Sequence, residues 1–116
     1  MKPPSESERR KSPRVPVLET MDAAGGSESF PIEMLDLSAS GARFRSDRAI
    51  PVDTAVRVNI NFYPVDFPIK ALVVWTRPVE GTDRYEHGAE FVNMPPEEAF
   101  LIKDYVLRAA GASKAT

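Results

Sequence analysis

Apolar and polar residues alternate with period two through most of the chain. Val56, Val58, Ile60 and Phe62 interleave with Arg57, Asn59 and Asn61, which predicts a strand with one face in a core and the other in water. Phe30, Ile32 and Met34 alternate with Pro31, Glu33 and Leu35 in a second strand that leads straight into Asp36. Val15, Val17 and Met21 begin an earlier strand, which should end at the loop Asp22-Ala23-Ala24-Gly25-Gly26-Ser27, where paired glycines supply the positive φ a hairpin needs. Gly41 to Arg45 reads as a short strand with its basic residues on one face. Val65 to Thr76 reads as the partner of the Val56 strand, with Ala71-Leu72-Val73-Val74-Trp75 buried on both sides or nearly so. After a turn at Gly81-Thr82-Asp83, Tyr85, His87, Ala89 and Phe91 alternate with Glu86, Gly88 and Glu90. Six short strands with no helix between them predict an all-β, six-stranded antiparallel barrel, a closure that removes exposed edges.

Only the end of the chain reads as helix. Pro95-Pro96-Glu97-Glu98 puts proline in the first turn and carboxylates where the helix dipole favours them. Ile102, Tyr105, Val106 and Ala109 then form one apolar stripe, and Gly111 is a natural stop, so a C-terminal α-helix over 95–110 should cap one barrel end. Residues 1–8 are polar and proline-bearing with nothing to bury, and are expected to be disordered, as are 112–116. The intervening domain, 9–111, divides into an arm (9–14), the barrel (14–92) and the helix.

A chain of 116 residues suits one domain, with none left over for an enzyme. The absence of cysteine excludes disulfides and thiolate metal sites. No apolar run reaches the roughly 20 residues of a membrane span, and the N-terminus lacks an apolar signal core, so a cytoplasmic location away from the membrane is expected. Charge is unevenly placed: the first 14 residues carry a net +3 in a chain of net -2, leaving -5 for the body. A basic arm on an acidic body points to an anion held locally by the arm, and away from a general nucleic-acid surface.

The arm reads Arg9-Arg10-Lys11-Ser12-Pro13-Arg14. Alone, such a cluster is most simply a solvated tail. In extended chain, however, Arg10 and Arg14 point the same way about 13 Å apart, a span fitting a dinucleotide-sized ligand. Arginine grips phosphate bidentately, donates to O6 and N7 of guanine and stacks on purines. The loop Asp36-Leu37-Ser38-Ala39-Ser40-Gly41 has a plain reading as an Asx or Ser turn. Its functional reading makes Asp36 an acceptor for guanine N1–H and N2–H, Ser38 a donor, and Gly41 a place where backbone approaches a ligand. Arm and loop are complementary in sign. Trp75 and Arg77, two apart on a strand, could clamp a purine, or Trp75 could be core with Arg77 exposed. Arg43 could reach a phosphate, or be an ordinary exposed strand residue. His87 has no cysteine or second histidine to make a metal site or a triad with, and reads as strand surface.

In this order, RRxxxR followed by DxSxxG resembles the PilZ domain family, and the resemblance extends from Arg9 to about Ala110 through Val73-Val74-Trp75 and Tyr85-Glu86-His87-Gly88-Ala89-Glu90-Phe91. It implies a non-catalytic receptor for cyclic di-GMP, with Arg10, Arg14, Asp36, Ser38 and Gly41 around the ligand and no further cofactor. Arg9, the extra arginine, implies a stacked pair of ligands per chain. With no attached output domain, a monomer acting on a separate, unidentified protein is expected, of the motility or exopolysaccharide kind the family often serves. Two rivals are a nucleic-acid-binding barrel, which would show steep salt dependence and little preference among dinucleotides, and a PilZ-like scaffold that only docks partners. An enzyme is the least supported class, since no base, nucleophile and oxyanion donors cluster in the sequence.

Overall fold

The computed structural model describes residues 13–115; the expected disordered tail 1–8 and the arginines Arg9 and Arg10 lie outside the described residues. Six strands, β1 (Arg14–Gly25), β2 (Glu28–Ser38), β3 (Gly41–Ser46), β4 (Ala55–Asn59), β5 (Pro68–Pro78) and β6 (Tyr85–Phe91), are followed by one helix, α1 (Pro96–Ala115). They close into an antiparallel barrel in the order β1-β2-β3-β6-β5-β4, as the alternating pattern predicts. The interior is filled by the apolar half of each alternation, with Ile32, Met34, Leu37, Phe44, Val58 and Val73 almost wholly out of solvent.

Several local expectations are corrected. The β1–β2 hairpin is tighter than the glycine pair suggests: β1 continues to Gly25, Ala23 is buried opposite Phe30, and only Gly26 has positive φ, at 63°. α1 passes through Gly111 to Ala115, so 112–115 belong to the helix; the flanking alanines favour it and nothing crowds Gly111. His87 is fully buried, because it shares the inward face of β6 with Ala89. Its ring stacks on Phe44 at 4.9 Å, and its Nε2 accepts the Ile50 N–H at 3.1 Å, satisfying a backbone donor that the core would otherwise strand. Burial holds the imidazole below its ordinary pKa, against the opposing pull of the backbone near Phe44 and Arg48 and of the Glu86 charge.

α1 lies against β1 and β2. Ile102 and Val106 are buried in the core and Tyr105 meets Phe62 with ring centroids 5.3 Å apart, so the predicted stripe is the face that packs.

Bulges on β2 and β5 decide which residues of those strands reach the outer surface. On β2, Met34 pairs with Phe44 and Asp36 with Arg43, so Leu35 is an extra residue. On β5, Val73 pairs with Ala89 and Trp75 with Gly88, so Val74 is extra. Each insertion reverses the alternation. Strict alternation from Met34 and Val73 would send Asp36 and Trp75 into the core; the bulges turn both outward. The apolar run Ala71 to Trp75 is accordingly not buried on both sides, since Val74 is exposed and Trp75 lies on the outer face.

Candidate functional site

Antiparallel register lays the outward residues of β2, β3, β6 and β5 in two lateral rows. One row reads Asp36, Arg43, Gly88, Trp75 and the next Glu33, Arg45, Glu86, Arg77. Opposite charges therefore alternate across neighbouring strands, where cross-strand pairs interact.

Asp36, buried, is the node of the first row. Its Oδ1 accepts Arg14 Nη1 at 2.7 Å and its Oδ2 accepts Arg43 Nε at 2.9 Å. Arg14 is the last arginine of the sequence motif and the first residue of β1, so the two motifs meet here.

Ser38 and Gly41 build the loop. The Ser38 hydroxyl donates to the Gly41 carbonyl at 3.2 Å and accepts the N–H groups of Gly41 (3.1 Å) and Ser40 (3.3 Å). This is the Ser-turn reading, with the hydroxyl hydrogen already used. At Gly41 a Cβ would collide with the Ala89 carbonyl of β6, so the glycine admits a neighbouring strand.

Trp75 is not a core residue: its indole lies over Gly88, where a Cβ would fall inside the ring. The Arg77 guanidinium carbon sits 5.1 Å from the Trp75 ring centre, a cation–aromatic contact on the shared face. Arg14, Arg43, Gly41, Val74, Trp75 and Gly88 help line a cleft of about 420 Å³, with cations at one side and an indole at the other. Another cleft, of about 350 Å³ between Thr20, Pro31, Glu33, Asp47 and Arg84, holds one arginine but no aromatic side chain.

Glu86 and Gly88 were not singled out by the sequence. Glu86 is buried and meets three arginines: Oε1 faces Arg77 Nη2 at 2.9 Å and Arg43 Nη1 at 3.5 Å, and Oε2 accepts Arg45 Nη2 at 3.3 Å. Burial would raise its pKa, but hydrogen bonds from Arg77 and Arg45 and the charges of Arg43 and Arg77 outweigh that and hold the carboxyl below the ordinary range. The available signal was register: Arg43 and Arg45 at alternate positions of β3 and Arg77 on β5 flank Glu86 on both sides. Among the described residues no group of three or more histidine, cysteine, aspartate or glutamate side chains could hold a metal, and no helix is long and apolar enough to cross a membrane.

The chain belongs to the PilZ domain family, whose model it matches over residues 8–108. Solved structures agree on the fold. A PilZ domain of YcgR from Escherichia coli, determined with c-di-GMP, aligns with TM-score 0.62 at 15% identity over 92% of this chain and 95% of that one. A structure of YcgR from Escherichia coli in complex with c-di-GMP aligns with TM-score 0.70 at 11% identity over 92% of this chain, and the Bacillus subtilis inhibitor of motility MotI/DgrA with 0.66 at 13% over 90%. This chain spans about half of each of those two, 48% and 52% respectively. No curated protein matches the sequence.

Proposed function

We propose that the chain is a non-catalytic receptor for cyclic di-GMP, whose arginine-rich arm closes over the ligand and changes the surface offered to a partner protein. The observation that carries this reading is the convergence of Arg14 and Arg43 on Asp36 beside the Trp75 cleft. A carboxylate has about four acceptor positions, so with one guanidinium on each oxygen Asp36 can still accept guanine N1–H and N2–H. Arg14 and Arg43 then orient the acceptor as well as offering charge to phosphates, while Trp75 and Arg77 offer a face for a purine. Ser38 and Gly41 act through the shape of the loop. Arg10 supplies the second phosphate or guanine contact and Arg9 a second, stacked nucleotide. The bound anion neutralises the arm and fastens it to the barrel, and that change of surface is the signal. Membership of the PilZ family and the two YcgR structures with c-di-GMP support the choice of ligand.

Titration with cyclic di-GMP and cyclic di-AMP side by side tests it. Adenine offers Asp36 no N1–H and no N2–H, so affinity should fall at least about 30-fold. Equal affinity, with steep weakening by salt for both, would favour a general anion surface instead.

A further inference from the structure

We infer that Glu86 is a positioning residue for recognition: it pins Arg77 over Trp75 and so builds a cation–aromatic shelf for a purine. The ligand half of this inference rests on the receptor reading above; the geometric half does not.

Strand pairing by itself does not call for a carboxylate at this place in the outer row. Glu86 is nonetheless buried, a cost that an ionised carboxylate recovers only through close partners. It has three, and they differ in how much they depend on it. Arg43 also holds Asp36 at 2.9 Å and Arg45 also approaches Glu33 at 3.7 Å. Arg77 has no other carboxylate partner among the described residues, and its side chain is 65% exposed. Its rotamer freedom would be large if the 2.9 Å contact were lost.

Removing the Glu86 charge therefore leaves Arg43 and Arg45 anchored but frees Arg77. The like charges of Arg43 and Arg45 would then drive it outward. The shelf depends equally on Gly88, whose missing Cβ lets the indole lie flat beneath the guanidinium.

Trp75 is the only tryptophan in the chain, so its fluorescence reports this contact without ligand. In Glu86→Gln the emission maximum and acrylamide quenching of Trp75 should change, and Arg77→Gln should change them in the same sense. The double variant should add nothing further, because both substitutions remove one arrangement. Cyclic di-GMP affinity should weaken roughly tenfold in each single variant and no more in the double. If Glu86→Gln does not fold, Glu86→Asp takes its place: the shorter carboxylate withdraws from Arg77 and should move Trp75 quenching towards that of Arg77→Gln, while wild-type quenching would contradict the positioning role.

Unchanged Trp75 fluorescence in the variants, or additive losses of affinity, would overturn the positioning role and leave the receptor reading standing. A wild-type chain that binds no cyclic di-GMP would overturn the receptor reading and the ligand half of this inference together, while the fluorescence still decides the geometry.

Discussion

Arg14 and Asp36 stand 22 residues apart in sequence and 2.7 Å apart in space, joining the first residue of β1 to the bulged end of β2. The Arg14 side chain is 44% exposed, so the ion pair itself contributes less than about 1 kcal/mol to folding. Arg14→Ala should therefore leave the melting temperature nearly unchanged while weakening cyclic di-GMP binding at least about 30-fold. Thermal unfolding and titration of one sample separate the two effects; equal small changes in both would mean that Arg14 serves only the fold.

Gly41 and Gly88 should respond differently to alanine. At Gly41 the obstruction is the Ala89 backbone carbonyl, which cannot swing aside, so Gly41→Ala should destabilise by roughly 1 to 3 kcal/mol. At Gly88 the obstruction is the Trp75 side chain on the outer face, which can move. Gly88→Ala should therefore cost less stability and instead expose the indole. Urea unfolding and Trp75 quenching check the pair, and Gly41→Ala with wild-type stability would contradict the packing argument.

Acid should weaken the fold in two stages. His87 has a folded-state pKa below the ordinary histidine value of 6.5, so as pH falls through that value the unfolded chain takes up the proton first and stability declines. Glu86 has a folded-state pKa below the ordinary 4.5, so its contribution is present above that value and is lost as pH falls further. Melting temperature measured from pH 8 to 3 should show both declines. His87→Gln should flatten the upper one and Glu86→Gln the lower; a wild-type curve level from pH 7 to 5 would contradict the assignment of His87.

The helix is held by few side chains. Ile102→Ala should cost about 2 to 5 kcal/mol, since Ile102 is wholly buried where α1 meets the barrel. Leu107→Ala, at a half-exposed position on α1, should cost far less. Equal unfolding midpoints for the two variants would contradict the packing of α1.

Period-two alternation made six strands legible because one barrel face is apolar and the other wet, and the stripe Ile102, Tyr105, Val106, Ala109 marked the buried face of α1. RRxxxR and DxSxxG marked Arg14 and Asp36 as one site. What alternation cannot encode is an inserted residue. Leu35 and Val74 look like ordinary apolar positions, yet as bulges they turn Asp36 and Trp75 outward into the same row. Glu86 and Gly88 owe their roles to register with β3 and β5, which emerges only when distant strands pair. His87 was misread because a polar side chain on a strand suggests solvent, whereas an inward imidazole can satisfy a buried backbone N–H.

Calorimetric titration of cyclic di-GMP into the wild-type chain and into Asp36→Ala tests the central claim most directly. The account predicts saturable binding of two nucleotides per wild-type chain, one in Arg9→Ala, and a loss of at least about 30-fold in affinity in Asp36→Ala. Wild-type affinity in a folded Asp36→Ala protein would contradict it.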